Sequence, residues 1–142
     1  MNTPAQNKQL LHYVFAELAE GNSQPFVAAM ADDFSWTIAG RTTWARTWEG
    51  KRAVTGDLFG VLRERLSLPI KVRPQRILAD GDHVIVEARG DNVTRDGDGY
   101  DNVYCYVIRM EGGKLAELTE YADTELMSRA LGDPLAAQPV RR

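Results

Sequence analysis

The sequence predicts a single α+β domain, in which a cone-shaped, curved antiparallel sheet wraps around an N-terminal set of three helices and a short helix ends the chain. Two observations support this prediction. Before Pro69, most apolar residues recur at helical spacing, whereas after Pro69 the spacing changes to two. The segments with a period of two follow one another through short turns, which is typical of an antiparallel meander.

The first predicted element is an amphipathic helix over residues 3–20. Leu11, Val14 and Leu18 lie on one face at helical spacing, and Gly21-Asn22 follows the run as a C-cap would.

A short second helix is predicted next. Ser23 can cap it, Pro25 suits its first turn, and its apolar residues extend to Met30. Asp32-Asp33 is expected to break this helix, and residues 34–38 are expected to form the first strand.

Residues 40–50 show no period and contain Trp44 and Trp48, so the segment is predicted to be a loop that covers part of the domain. A third helix is predicted from Lys51, with Leu58 and Leu66 on its buried side.

The back half of the chain is predicted to form a four-stranded meander. The predicted strands are 70–78, 83–94, 100–110 and 114–122. Asp123 is the expected N-cap of a last helix over 124–131, closed by Gly132 and Pro134. The domain is predicted to span 1–134, followed by a flexible tail over 135–142.

Composition narrows the possible partners. With 142 residues, 44% of them hydrophobic, the chain can bury one core. The net charge of −3 arises from 20 acidic and 17 basic residues that are mixed along the chain, without a basic face. Nucleic acid and anionic membrane are therefore not expected as partners.

The chemistry of metals and thiols is not expected either. Cys105 is the only cysteine, and the two histidines, His12 and His83, lie far apart in sequence. These residues offer no intrachain disulfide and no metal-ligand spacing, and no cofactor is predicted. No signal peptide or membrane span is visible, and the cytoplasm is the expected location.

Glu120 is the candidate catalytic residue. Alternation places it on the same face of the last strand as Ala116, Leu118 and Ala122. Burying an ionised carboxylate beside such neighbours costs several kcal/mol or more unless the group is paired or neutral. Glu120 is therefore either a working acid or base, or a carboxylate held by a tyrosine or arginine without chemistry.

The preceding strand supplies candidate substrate-binding residues. Tyr104, Tyr106 and Asn102 share the inward face across the hairpin from Glu120, which would be the natural partner for a buried phenol. Tyrosines are also ordinary strand residues that fill a core, and this alternative stays open. Trp36 and Leu118 complete the predicted substrate-binding set.

The order of elements resembles the nuclear transport factor 2-like superfamily, which includes ketosteroid isomerases, limonene-epoxide hydrolases and SnoaL-like polyketide cyclases. The residues that carry the resemblance are Ala31-Asp32-Asp33-Phe34, Gly50-Lys51-Arg52-Ala53-Val54, and the blocks from Tyr100-Asp101-Asn102 through Gly113-Lys114-Leu115 to Glu120-Tyr121-Ala122-Asp123-Thr124. The resemblance implies a cone whose open end is a small-molecule pocket, and an outer sheet face that forms a homodimer.

The resemblance also bears on individual residues. The sixth residue after the lysine of the last hairpin, here Lys114, is a catalytic aspartate in the cyclases and epoxide hydrolases. This chain has Glu120 there. The catalytic positions of ketosteroid isomerase fall at Thr37 or Ile38, at Val14 and at Tyr106, so all are replaced and steroid isomerisation is not expected.

For the epoxide hydrolases, Arg89, Asp91 and Glu120 look like the charged catalytic residues. Strand alternation, however, puts Arg89 and Asp91 with Glu87 on the face opposite the apolar set, where same-face ion pairs are expected instead. The tyrosine and asparagine of those enzymes fall at Trp36 and Ile38, which leaves their water site incomplete.

Three functions remain in view. The first is a cofactor-independent isomerase, cyclase, hydratase or hydrolase that uses Glu120 on a small apolar carbonyl or hydroxyl compound. The second is a binding module for a small apolar or aromatic organic ligand, without turnover. The third is a dimeric scaffold protein that uses the outer sheet face, where Val103, Cys105 and Val107 are expected.

Overall fold

The first helix forms as the sequence predicts. The structure is a computed structural model that describes residues 2–135, and α1 spans Pro4–Ala19. Thr3 and Gln6 cap its N-terminus reciprocally: the Thr3 hydroxyl accepts from the Gln6 backbone N–H at 3.1 Å, and the Gln6 side chain accepts from the Thr3 N–H at 2.9 Å. The prediction of a tail over 135–142 lies, apart from Leu135, outside the described residues.

Gly21 ends α1 for a clear steric reason. Its φ is +87°, and a Cβ at this position would meet the Pro69 ring at 2.8 Å.

None of the helices among residues 2–135 is long and apolar enough to cross a membrane.

The second helix is shorter than predicted. Helix α2 spans Gln24–Ala29 and strand β1 spans Met30–Ile38, so the placement of Met30 in the helix is wrong. Ser23 occupies the N-cap position without a side-chain hydrogen bond, and the Asn22 side chain accepts from the Gln24 N–H instead. Asp32-Asp33 is exposed within β1 rather than being a break before it.

The predicted loop over 40–50 contains a strand. Strand β2, Thr47–Glu49, pairs antiparallel with β1, which places Trp48 opposite Trp36. The sequence did not predict β2, because a strand of three residues is too short to show a period of two.

The predicted third helix is present but not uniform. It begins as α3, Lys51–Ala53, widens into a π-helical turn over Val54–Leu58, and continues as α4, Phe59–Arg65. Such π turns are frequent beside functional sites. Leu58 and Leu66 are buried as predicted.

The back half forms four long strands and one small hairpin. The long strands are β3 (Val72–Asp80), β4 (His83–Gly90), β7 (Val103–Glu111) and β8 (Lys114–Ala122), and the hairpin pairs β5 (Asn92–Val93) with β6 (Gly99–Tyr100). Residues 83–94 and 100–110 are therefore not continuous strands. The sheet order is β2-β1-β8-β7-β4-β3.

One pairing in this sheet is parallel. Strand β1 lies against β8 in parallel, with Ile38 opposite Glu120, while the other pairs are antiparallel. Leu115 is fully buried although simple alternation from Glu120 would place it on the outer face, because the β7–β8 register shifts at Met110.

The core lies between the concave face of the sheet and the helices. Leu11, Val14 and Phe15 of α1 are fully buried, as are Val84 and Ile108 of the sheet. The predicted α+β fold, with a curved sheet around N-terminal helices, is confirmed.

Helix α5, Thr124–Leu131, is capped as predicted: the Asp123 carboxylate accepts from the Glu125 and Leu126 N–H groups, each at 3.1 Å. We expect Asp123→Ala to lower the free energy of unfolding by about 1 kcal/mol, because both N–H groups lose their acceptor. Urea unfolding measures this loss, and Asp101→Ala, at an exposed position, is the control. Equal losses in both variants would contradict the capping role.

Candidate functional site

A cavity of about 310 Å³ lies between the helices and the concave face of the sheet. Its walls are mainly apolar and aromatic, which is typical of pockets for small organic ligands. The lining residues include Phe26, Trp36, Ile38, Trp44, Leu58, Phe59, Tyr100, Tyr104, Tyr106, Glu120, Met127 and Leu131. Among the described residues, Glu120 and Arg63 are the only charged side chains that line it.

Glu120 lies in the wall of this cavity because its strand is in the interior of the sheet. Strand β8 is flanked by β1 and β7, where Ile38 and Tyr106 are its direct neighbours. Glu120 is only 6% exposed to solvent. Burial raises the pKa of the Glu120 carboxyl from 4.5 to about 7, so the group can both take and return a proton near neutral pH.

Trp36 is the polar neighbour that opposes this rise. Its indole nitrogen lies close enough to the carboxyl of Glu120 to lower the pKa of that group, although it makes no hydrogen bond of ordinary geometry with any described residue. Burial therefore dominates, and Trp36 offsets part of its effect.

Tyr104 and Tyr106 lie on the inward face of β7, the same face of the sheet as Glu120 on β8, as the sequence predicts. Their rings are stacked, with centroids 5.2 Å apart and planes 12° apart. Burial raises the pKa of both phenols, and the nearby Glu120 carboxylate raises them further. Both hydroxyls are therefore neutral hydrogen-bond donors at physiological pH.

The expected hydrogen bond between a tyrosine and Glu120 is absent from residues 2–135. Neither Tyr104 nor Tyr106 donates to the carboxylate with ordinary geometry. The sequence places these side chains on one face, but it does not set the distance between their polar atoms. A ligand oxygen can therefore approach the phenols without displacing a bond to Glu120.

Asn102 and Leu118, both predicted to bind substrate, do not line the cavity. Leu118 is 1% exposed and packs in the core. The Asn102 amide is fully buried, donates to the Tyr100 hydroxyl and the Asp123 carbonyl, each at 3.1 Å, and accepts from the Asp123 N–H at 3.1 Å. Asn102 thus ties β7 to the start of α5 and orients Tyr100.

The tryptophans of the predicted loop differ in position. Trp44 is 1% exposed, lines the cavity, and donates from its indole nitrogen to the Gly132 carbonyl at 2.5 Å. Trp48 does not line the cavity, and its ring lies 5.4 Å from the Arg46 guanidinium carbon.

The exposed lining residues mark the mouth of the cavity. They are Ser23, Arg63, Leu68 and Pro69. The Arg63 guanidinium donates to the Thr55 carbonyl at 3.3 Å, and no carboxylate among the described residues pairs with it.

The charged residues of β4 lie away from the cavity. Arg89 and Asp91 are exposed, and Glu87 pairs with Arg76 of β3. These positions agree with the register predicted from the sequence, and Arg89 and Asp91 do not form an epoxide-hydrolase-like charged pair in the cavity.

The outer sheet face carries the residues expected to mediate a dimer. Val103 is 47% exposed, and Cys105 and Val107 are half-buried. A homodimer through this face stays a prediction. No group of three His, Cys, Asp or Glu side chains among residues 2–135 could hold a metal ion.

Sequence reasoning missed several lining residues. Tyr100 could have been found, because it continues the alternation of Tyr104 and Tyr106. Phe26, Phe59 and Met127 come from three different helices, and no local pattern distinguishes a helix residue that lines a cavity from one that fills the core.

Comparison with known structures places this geometry among related folds. An NTF2-like protein from Burkholderia xenovorans LB400 is 24% identical, with a TM-score of 0.71 over 91% of this chain and 98% of that one. An NTF2-like protein from Burkholderia thailandensis E264 is 22% identical, with a TM-score of 0.75 over 92% and 98%. An LEH-like epoxide hydrolase from M. tuberculosis is 21% identical, with a TM-score of 0.66 over 90% of each chain.

These likenesses concern the fold alone. No curated protein matches the chain. The sequence profile of the SnoaL-like domain family, in contrast, matches residues 11–118, which extend from α1 into the last strand of the cavity wall. The chain therefore belongs to the SnoaL-like domain family.

Proposed function

We propose that this protein is a cofactor-independent acid/base enzyme, of the isomerase or cyclase type, that acts on a small apolar carbonyl compound. The observation that carries the proposal is the carboxyl of Glu120, which lies in the wall of an apolar cavity with its pKa raised to about 7. Such a value suits a group that removes a proton and later returns it.

In the proposed reaction, the Glu120 carboxylate removes a proton from the carbon next to the substrate carbonyl. The electron pair of the broken C–H bond moves to the carbonyl oxygen, which becomes an enolate. Tyr104 or Tyr106 donates a hydrogen bond to that oxygen as its charge develops. Where a double bond is conjugated with the enolate, another carbon takes the proton back from Glu120, which is isomerisation. Alternatively, the enolate carbon attacks a second carbonyl and the alkoxide that forms takes the proton from Glu120, which is cyclisation.

The apolar walls support the same proposal. A water-poor cavity strengthens the interaction between a phenol donor and a developing oxyanion. The raised pKa values of Tyr104 and Tyr106 keep these groups protonated, which a donor requires. No step needs a metal or an organic cofactor.

The test uses 5-nitrobenzisoxazole, a small apolar compound that opens to a coloured nitrophenolate when a base removes its ring proton. Because the ionised form of Glu120 is the base, kcat/KM should rise about tenfold per pH unit below about pH 7 and level off above it. The absorbance of the product, measured from about pH 5 to about pH 9 against buffer alone, gives the profile.

Two outcomes would contradict the proposal. One is a rate equal to that of buffer at every pH, which would favour a ligand-binding module without turnover. The other is a profile without an inflection near pH 7, which would place the base elsewhere.

A further inference from the structure

Trp36 is held close to Glu120 by the pairing of β1 with β8. Ile38 lies directly opposite Glu120 in this parallel pair, and Trp36 precedes Ile38 by two residues, on the same face of the sheet. Trp36 and Glu120 are therefore diagonal neighbours on adjacent strands, and both line the cavity.

The indole N–H of Trp36 lacks an acceptor. It is a buried nitrogen without a hydrogen-bond partner among the described residues, whereas the Trp44 indole donates to Gly132. An indole nitrogen can only donate, and leaving a buried donor unpaired costs about 1–3 kcal/mol. A buried donor of this kind calls for an acceptor nearby.

The ring of Trp36 has little freedom to rotate toward an acceptor. Its centroid lies 5.7 Å from Phe26, 6.4 Å from Phe34, 5.7 Å from Phe59 and 6.0 Å from Tyr106. The contacts with Phe34, Phe59 and Tyr106 are edge-to-face, an arrangement that favours one ring orientation. The movement that completes a hydrogen bond must therefore come from the partner.

Glu120 is the partner that can move. Its carboxyl makes no hydrogen bond of ordinary geometry within residues 2–135, and rotation of its side chain changes the position of both oxygens. A carboxylate is also the strongest acceptor available in the wall of the cavity.

We infer that Trp36 is a positioning residue for Glu120: its indole N–H donates to the carboxylate when Glu120 ionises, and it thereby fixes the direction from which the base meets the substrate. The catalytic consequence rests on the proposed function. The hydrogen bond itself does not, and it can be measured without turnover.

Few other titratable groups face this pair. Tyr104 and Tyr106 lie across the hairpin on β7, and Tyr100 lies on β6; their raised pKa values keep all three neutral in the range tested. Arg63 lines the mouth from α4. The side chains that α1, α2, β1 and α5 contribute to the cavity wall are uncharged.

The first experiment is an NMR titration of the unmodified protein. Three tryptophans give three indole N–H signals, and 13C-labelled glutamate reports the Glu120 carboxyl. The Trp36 signal should move downfield as pH rises, with the same midpoint as Glu120, near pH 7. The Trp44 and Trp48 signals should not follow this midpoint, and Glu120→Gln should abolish the movement at Trp36. A Trp36 signal whose chemical shift does not change when Glu120 ionises would overturn the inference.

The second experiment removes the donor. In Trp36→Phe the Glu120 midpoint should rise by about one pH unit, because the ionised form loses a charge-assisted hydrogen bond. The pH dependence of 5-nitrobenzisoxazole opening should move by the same amount. Trp48→Phe, at the neighbouring position on β2, should leave both unchanged.

These readouts separate the two proposals. A shifted midpoint without any turnover supports the role of Trp36 and contradicts the proposed enzyme. Turnover together with an unshifted Glu120 midpoint in Trp36→Phe supports the proposed enzyme and contradicts the role of Trp36. If Trp36→Phe does not fold, the titration of the unmodified protein decides the matter alone.

Discussion

Glu120→Gln is expected to lower the rate of 5-nitrobenzisoxazole opening by about 10²–10⁴-fold, the usual contribution of a positioned general base. Glutamine preserves the shape of the side chain and one of its two acceptor oxygens, but it cannot accept the ring proton. Binding of the probe should persist, because the apolar walls formed by Phe26, Trp36 and Phe59 are unchanged. The expected effect is therefore on kcat, with KM nearly constant.

The matched control is Glu111→Gln, which makes the same chemical change at an exposed position at the end of β7. It should retain the full rate. If Glu120→Gln and Glu111→Gln turn over the probe equally, the cavity carboxyl is not the base.

Glu120→Gln should also make the protein more stable at pH 8, by as much as about 3 kcal/mol. The carboxyl has a pKa of about 7 in the folded protein, against an ordinary value of 4.5. Between these values the folded state holds a proton that the unfolded state has lost, so stability falls as pH rises from about 4.5 to about 7. Above about pH 7 the loss is complete, and the buried charge persists.

Chemical unfolding at several pH values measures this effect. The difference in unfolding free energy between Glu120→Gln and the unmodified protein should be small near pH 4.5, grow through pH 7, and stay constant above it. A difference that does not change with pH would show that Glu120 ionises with an ordinary pKa, and it would remove the physical basis of the proposed acid/base role.

The sequence predicted the fold and the shared face of three cavity-lining side chains for a common reason. Alternation in β7 and β8 is a local property, so the order of residues along each strand is enough to place the side chains of Tyr104, Tyr106 and Glu120 on one face. Helical spacing similarly located α1, and the cap residue Asp123 located the start of α5.

The errors arose where distant contacts override the local pattern. Strand β2 exists because three residues pair with β1, and no local pattern there is long enough to show a period of two. Asn102 was predicted to meet substrate because it shares the inward face. Its amide instead bonds to Asp123, a contact between residues that are distant in sequence.

The parallel pairing of β1 with β8 has a consequence for how the chain folds as it is made. Ile38 and Glu120 are roughly eighty residues apart, yet they are neighbours in the sheet. Until β8 has left the ribosome, β1 has only the three-residue strand β2 to pair with. The edge of β1 that pairs with β8 is then open, and Trp36 lacks its neighbours on β8. Contacts that span such a separation form late and slowly. We therefore expect the cavity wall to close only after synthesis has passed residue 122, and β1 to need protection from other chains until then.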